Sequence, residues 1–254
     1  MKATFLNHDT PLLCAMIQAH TPDEAICQIT NSLWEGAEAF GIQLENLRRE
    51  FRDVETLKRI FSFCDGKPIY ITSYRNSEST GYTDEECVEY LLMGLDAGAT
   101  ICDIMGDFFC PDPHEFTWDP EAAAKQKAVA DEIHKRGGEV LISSHIHDFI
   151  TPEEVLKIAK EQRVRGADVA KIVNFSMTEE QMYAGFDAIR LLKEQLGGEF
   201  LYLSNGPYSR KIRTLGPSFG VCMYLCVQHY GALNSKEQPK LTAIKTARDN
   251  LMHF

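Results

Sequence analysis

One lysine stands inside an otherwise apolar run of this sequence. Lys171 lies in "RGADVAKIVNFS", where Val169, Ile172 and Val173 are typical of a buried strand. An ammonium group is costly to bury without a partner, and most strand lysines point outward or pair with a carboxylate. A lysine with apolar walls and flanking cations instead favours its neutral form, which attacks ketones to form a Schiff base. Lys171 is therefore a candidate nucleophile.

Two histidines follow the preceding apolar run, in "EVLISSHIH". A histidine beside Lys171 suits proton transfer near neutral pH, which makes His145 a candidate acid and base. His145 and His147 are also spaced as two metal ligands on one face of a strand, with Asp103 as a third. The sequence therefore leaves a metal-dependent enzyme open beside imine chemistry.

Other apolar runs also end in polar side chains. Arg75 follows the third run and Arg213 the seventh, and two arginines can bind a carboxylate in bidentate fashion. Gln43 and Glu45 end the second run, where strand alternation predicts that they point the same way. With Lys171, this set predicts a lyase or aldolase acting on a carboxylated ketone. A class I aldolase that cleaves a carbon–carbon bond stays open, as does a barrel that binds such a metabolite without turnover.

Short apolar runs alternate with long amphipathic segments along the whole chain, in roughly eight βα units that no linker divides. This alternation predicts a parallel sheet, and eight units in 254 residues predict an α/β fold, a single-domain (β/α)8 TIM barrel over residues 1–254. A doubly wound open sheet is the second choice, but the first run lacks a G-x-G-x-x-G motif. Residues 1–10 are expected to form an extra strand or a plug at the barrel bottom.

The predicted strands place the candidate residues at one end of this barrel. They cover residues 12–18, 40–47, 68–75, 99–106, 139–145, 168–175, 199–205 and a stretch within 219–228. Active sites of such barrels lie at the C-terminal ends of the strands, so the polar residues at these ends are expected to meet.

The composition is that of an ordinary globular chain with an acidic surface. Apolar residues make up 44%, and the formal net charge is -11. This charge disfavours nucleic acid or an anionic membrane as partner. The amino terminus does not resemble a signal peptide and no run approaches about 18 apolar residues, so we expect the cytoplasm. The eight cysteines contain no CxxC pair and are expected to be reduced thiols.

These residues together resemble the type I 3-dehydroquinate dehydratases, the Schiff-base dehydroquinases of the shikimate and quinate pathways. The likeness runs from "PLLCAMI" to "EQPKL". It implies that Lys171 in "ADVAKIV" forms the imine and that His145 in "SSHIHDFITPEE" is the catalytic histidine. It also implies that Arg75 in "SYRN", Arg213 before "GPSFGV" and Gln238 in "KEQPKL" bind the substrate. The implied reaction is dehydration of 3-dehydroquinate, or a related cyclic keto acid, to 3-dehydroshikimate, a step towards aromatic amino acids.

Several positions depart from the family pattern. The glutamate and arginine of the family's second strand are replaced by Gln43 and Glu45, a loop serine by Asn234, and a methionine by Asn205. Replacing a cation with an anion at a buried site typically costs several kcal/mol against the original ligand. These four residues are therefore predicted to set an altered specificity. The resemblance also implies a homodimer and no metal or organic cofactor, because the lysine supplies the electron sink.

Overall fold

In the computed structural model, which describes residues 3–252, eight strands alternate with eight helices. The strands are β1 (Leu12–Ile17), β2 (Ala39–Gln43), β3 (Ile69–Thr72), β4 (Ile101–Met105), β5 (Glu139–His145), β6 (Val169–Phe175), β7 (Glu199–Asn205) and β8 (Met223–Cys226). The helices are α1 (Pro22–Trp34), α2 (Val54–Phe61), α3 (Asp84–Asp96), α4 (Pro120–Lys135), α5 (Pro152–Val164), α6 (Glu179–Gln195), α7 (Ser209–Leu215) and α8 (Leu241–Met252).

The strands are parallel and form a nearly closed barrel, in the order β7-β6-β5-β4-β3-β2-β1-β8. Between β7 and β8 the backbone is joined by one hydrogen bond, in which the Cys222 amide donates to the Phe200 carbonyl at 3.0 Å. The predicted (β/α)8 TIM barrel is therefore confirmed. Among the described residues, no helix is long and apolar enough to span a membrane.

Threonines at the ends of the strand–helix loops set where several helices begin. Thr21, Thr83 and Thr151 cap α1, α3 and α5, and in each case the third helical residue is a glutamate that completes a capping box. Such a cap satisfies backbone amides that have no partner inside the helix. The loops that carry the polar residues are thus held at both ends.

The first residues of the chain lie across the N-terminal end of the barrel. The Phe5 amide donates to the carboxylate of Glu139 at 2.9 Å, and the buried Phe5 ring meets the Tyr70 ring edge-on at 6.5 Å between centroids. We predicted either an extra strand or a plug for this segment. Residues 3–10 form no strand. Residues 1 and 2 lie outside the described part.

The second predicted strand is too long, and the error moves a candidate site residue. β2 ends at Gln43, and Leu44–Asn46 form a turn of 3-10 helix. Gln43 and Glu45 therefore do not share a strand face as predicted. The turn is held by the buried Arg52 guanidinium, which donates to the carbonyls of Leu47 at 2.7 Å and Glu45 at 3.2 Å.

Candidate active site

Lys171 lies in the centre of the barrel, where its ammonium group contacts one carboxylate and two phenols. Its Nζ is 3.0 Å from Asp103 Oδ2 on β4, 2.7 Å from the Tyr74 hydroxyl and 3.0 Å from the Tyr70 hydroxyl. The Lys171 side chain is 4% exposed and that of Asp103 0%. The sequence led us to expect apolar walls and flanking cations around this amine, but its nearest partners are polar and acidic.

The two phenols also bind the carboxylate that pairs with Lys171. Tyr74 donates to Asp103 Oδ2 at 2.6 Å, and Tyr70 donates to the same oxygen. Burial raises the pKa of both phenols well above its ordinary value, and the neighbouring charge of Asp103 raises it further. Both tyrosines therefore stay protonated at neutral pH, in one hydrogen-bonded cluster with the amine.

His145 is oriented by a carboxylate from the loop that follows β4. Its Nδ1 is 2.5 Å from Glu115 Oε2, and both side chains are partly buried. Burial raises the pKa of Glu115, but the hydrogen bond and charge of His145 outweigh it, so this pKa lies below its ordinary value. With Nδ1 engaged, Nε2 is left for a substrate.

The backbone at Glu115 supports this placement of the carboxylate. Glu115 has a φ of 47°, a left-handed conformation that costs a residue with a Cβ about 1–2 kcal/mol. Such strain persists where the surrounding structure holds it, and it is common at functional sites. The loop thus holds the Glu115 carboxylate against His145.

Lys171 and His145 open onto one cavity of about 190 Å³ at the C-terminal end of the barrel. The other side chains in its wall are those of Met16, Gln18, Gln43, Tyr70, Tyr74, Val173, Leu203, Asn205, Arg213, Leu225, Ser235 and Gln238. The cavity therefore combines an amine, an imidazole, a guanidinium and several amides, which suits a small polar anion.

The cationic end of the cavity is formed by Arg213 on α7. Its guanidinium is buried and donates to the Ser204 carbonyl and to Asn205 Oδ1, each at 3.0 Å. Burial lowers the pKa of Arg213 to about 10, so the group remains charged at neutral pH. Gln238 also lies in this wall, and its buried Oε1 has no hydrogen-bond partner among residues 3–252.

Residues 13–252 match the family model described as type I 3-dehydroquinase. The chain belongs to this family. None of the curated proteins matches the sequence.

Solved structures with the same fold include several dehydroquinases at low identity. The 3-dehydroquinate dehydratase from Geobacillus kaustophilus HTA426 has a TM-score of 0.83 at 14% identity, covering 98% of this chain and 94% of that one. The type I enzyme from Clostridium difficile, with covalently modified comenic acid, has a TM-score of 0.80 at 16% identity, covering 97% and 94%. The enzyme from Enterococcus faecalis has a TM-score of 0.76 at 17% identity, covering 98% of each chain. These likenesses agree with the barrel fold.

Gln43, at the end of β2, belongs to a string of hydrogen-bonded amides. Gln18 donates to Gln43 Oε1, and Asn234 donates to Gln18 Oε1. Asn46 also reaches Gln43 Oε1, at 3.5 Å. The sequence analysis did not include Gln18 among the site residues. It lies two residues after the buried Met16, so the alternation of side chains along β1 could have indicated it.

Glu45 and Arg75 lie outside the cavity around Lys171. Glu45 is buried and accepts from the Thr72 hydroxyl at 2.8 Å, and burial raises its pKa to about 7. Arg75 is 2.7 Å from Asp84 Oδ1 and 2.5 Å from Asp107 Oδ1, so its charge is neutralised within the protein. The substrate-binding roles predicted for both residues remain predictions.

A second cavity, of about 580 Å³, adjoins the first across Tyr74. Arg75, Glu115 and His147 lie in its wall. The predicted metal ligands are therefore not grouped around one point. His147 lies in the wall of this cavity, whereas Asp103 binds Lys171. Within residues 3–252, no three His, Cys, Asp or Glu side chains are grouped to hold a metal ion.

Proposed function

We propose that this protein is a Schiff-base 3-dehydroquinate dehydratase, a hydro-lyase that converts 3-dehydroquinate to 3-dehydroshikimate. The observation that carries the proposal is the buried amine of Lys171 in the wall of the same cavity as His145, on adjacent strands. Membership of the type I 3-dehydroquinase family supports dehydration as the reaction, and the shikimate pathway as its setting.

The chemistry begins at the substrate ketone. The neutral amine of Lys171 attacks the carbonyl carbon, and loss of water gives an iminium. The iminium withdraws electrons from the neighbouring carbon, so that the C–H bond there becomes acidic. His145, held through Nδ1 by Glu115, removes this proton with Nε2.

The second half of the reaction expels the hydroxyl group of the substrate. The proton taken by His145 passes to that hydroxyl, which leaves as water while the electrons form the carbon–carbon double bond. Hydrolysis of the conjugated iminium then releases the enone and regenerates Lys171. His145 serves as base and then as acid, which an imidazole does well near neutral pH.

The other polar side chains at the cavity would orient the substrate. Arg213 and Gln238 would bind the carboxylate, because a guanidinium and an amide both donate to carboxylate oxygens. Gln43 and Asn205 would bind ring hydroxyls, since an amide can donate to and accept from the same hydroxyl. Asn234 does not line the cavity and would act through the Gln18 side chain, to which it donates. This neutral wall supports a specificity shifted from that of relatives with charged groups here.

Trapping of the imine tests this proposal. The protein is incubated with 3-dehydroquinate and borohydride, digested, and analysed by peptide mass spectrometry, with dehydration followed in parallel. We expect a reduced adduct on Lys171, and none in Lys171→Ala. Absence of both adduct and dehydration in the wild type would discard the substrate. Adducts with acyclic aldehydes or ketones, followed by carbon–carbon cleavage, would favour the class I aldolase instead.

The homodimer and the cytoplasmic location suggested by the sequence form part of this proposal. The net charge of -11 disfavours nucleic acid or an anionic membrane as partner, and the cationic Arg213 in the cavity wall supports a small carboxylated substrate. Sedimentation velocity of the purified protein measures the oligomeric state directly, and a single monomeric species would contradict the dimer.

A further inference from the structure

We propose that Tyr74 is a further catalytic residue, whose hydroxyl carries a proton from Lys171 to the carbonyl oxygen of the substrate as the imine forms. Asp103 is the acceptor that takes the first proton from the ammonium group. The inference rests on the proposed function for its ketone substrate. It concerns imine formation and hydrolysis, and leaves proton abstraction to His145.

The contacts of the lysine carry this inference. Among the described residues, the hydrogen-bond partners of Lys171 Nζ are Asp103 and the phenols of Tyr70 and Tyr74, and His145 is not one of them. Imine formation must move protons from nitrogen to oxygen, and a group in contact with the nitrogen is needed for this transfer. The phenols and Asp103 are the groups so placed.

Of the two phenols, Tyr74 is the better placed to reach a substrate. Its hydroxyl is the nearer to Nζ, at 2.7 Å against 3.0 Å for Tyr70. The Tyr74 ring packs edge-on against His145 at 5.2 Å between centroids, whereas the Tyr70 ring packs against Phe5. Tyr74 therefore contacts both the amine and the catalytic histidine, whereas Tyr70, although it also lines the cavity, packs on the segment that covers the N-terminal end of the barrel.

The bonds within the cluster allow the proton to move without rearrangement. Tyr74 accepts from Nζ while it donates to Asp103 Oδ2 at 2.6 Å. The other oxygen of this carboxylate, Oδ1, is buried and has no hydrogen-bond partner among residues 3–252. No donor among these residues therefore stabilises the charge on that oxygen, and Asp103 can take the ammonium proton on Oδ2, which both Nζ and the Tyr74 hydroxyl contact.

The proposed transfers balance over the whole step. The ammonium of Lys171 gives one proton to Asp103, and its free electron pair forms the C–N bond as the carbonyl π electrons move to oxygen. Tyr74 protonates this oxygen and regains a proton from the nitrogen, which gives a neutral carbinolamine. Asp103 returns its proton to the hydroxyl, again through Tyr74. Water then leaves, and the nitrogen electron pair closes the C=N bond. Two of the three ammonium protons thus end in the water.

The test measures the rate of imine formation in single turnovers, with 3-dehydroquinate as substrate and rapid borohydride quenching. Tyr74→Phe removes the hydroxyl and keeps the ring. Tyr202→Phe is the matched control, because Tyr202 is a buried tyrosine whose hydroxyl binds Asn174 outside the cavity. We expect Tyr74→Phe to form the Lys171 adduct about 100-fold or more slowly, and Tyr202→Phe to match the wild type.

The final amount of adduct separates catalysis from a structural effect. If Tyr74 carries the proton, Tyr74→Phe still reaches the wild-type amount of adduct at long times, because the lysine remains in place. Adduct formation in Tyr74→Phe at the wild-type rate, or a reduced final amount at an unchanged rate, would overturn the proposal. In the wild type itself, proton transfer predicts slower imine formation in D2O than in H2O, and the absence of a solvent isotope effect would also count against the proposal.

The same experiment distinguishes a wrong substrate from a wrong role for Tyr74. An adduct in the wild type with pyruvate but not with 3-dehydroquinate would overturn the proposed substrate alone. The rate comparison with pyruvate would then decide the role of Tyr74. No adduct with either ketone in the wild type would overturn both proposals.

Discussion

At the scale of single residues, the active site differs from its sequence prediction in the groups that surround the lysine. Lys171 and His145 lie in one cavity wall, as the resemblance implied. The groups that serve them are Asp103, Tyr70, Tyr74 and Glu115, which the family motifs did not indicate. A motif identifies the residue that reacts, whereas its partners can come from any neighbouring strand or loop.

Glu45 gives a prediction about stability and pH. Its folded-state pKa of about 7 lies above the ordinary value of 4.5, so between these pH values the folded chain binds more protons than the unfolded chain. The stability due to this group is therefore fully present below pH 4.5 and is lost as the pH rises through 7. We expect a loss of about 3 kcal/mol in the free energy of unfolding.

Denaturant unfolding of the wild type and Glu45→Gln at pH 5 and pH 8 tests this prediction. The amide keeps an acceptor for the Thr72 hydroxyl and does not ionise. The variant should therefore gain stability relative to the wild type as the pH rises. An equal pH dependence in both proteins would show that Glu45 does not titrate in this range.

At the scale of elements, the strand–loop boundaries decide which side chains reach the cavity. β2 stops at Gln43, so Gln43 enters the cavity wall while Glu45 turns into a separate buried contact with Thr72. β3 stops at Thr72, short of the predicted end at Arg75, and that arginine binds two aspartates of other segments. The alternation of side chains that holds inside a strand therefore did not extend to Glu45 or Arg75, which lie past the ends of β2 and β3.

Arg52 provides a test of the turn after β2. Its guanidinium donates to the carbonyls of Leu47 and Glu45 and to the Ser79 hydroxyl at 2.8 Å. Arg52→Met leaves these buried acceptors without a donor, and we expect a loss of about 3 kcal/mol in the free energy of unfolding. Arg59→Met is the control, because Arg59 is an exposed arginine on α2 and should cost less than about 1 kcal/mol. Equal effects would mean that Arg52 does not hold the turn.

At the scale of the whole molecule, the barrel is closed at its N-terminal end by a segment without regular secondary structure. Phe5 is 1% exposed and packs on Tyr70, which in turn contacts Lys171. The segment thus contributes to the layer of side chains directly beneath the amine of Lys171.

Removal of the Phe5 side chain should destabilise the entire barrel. Phe5→Ala removes a fully buried ring, and we expect a loss of about 3–5 kcal/mol measured by guanidinium unfolding. Phe63→Ala serves as the comparison, because Phe63 is 45% exposed and its loss should have a much smaller effect. A loss below about 1 kcal/mol for Phe5→Ala would show that the cavity it leaves can collapse.

The sequence by itself determined the fold and the two central residues of the site. Eight alternating apolar and amphipathic segments gave the barrel, because the periods of strands and helices depend on local pattern alone. The unusual lysine in "VAKIV" and the histidine at the end of the preceding strand followed from strand position. The carboxylate-binding role of Arg213 came from the family motif and stays a prediction.

Only the tertiary structure decided what surrounds the lysine. Tyr70 and Tyr74 lie 101 and 97 positions from Lys171 along the chain, and the closed barrel brings β3, β4 and β6 to one interior point. Strand register and the radius of the barrel determine such contacts, and a local sequence pattern predicts neither of them. The structure therefore supplied the carboxylate and the two phenols that bind the buried amine of Lys171.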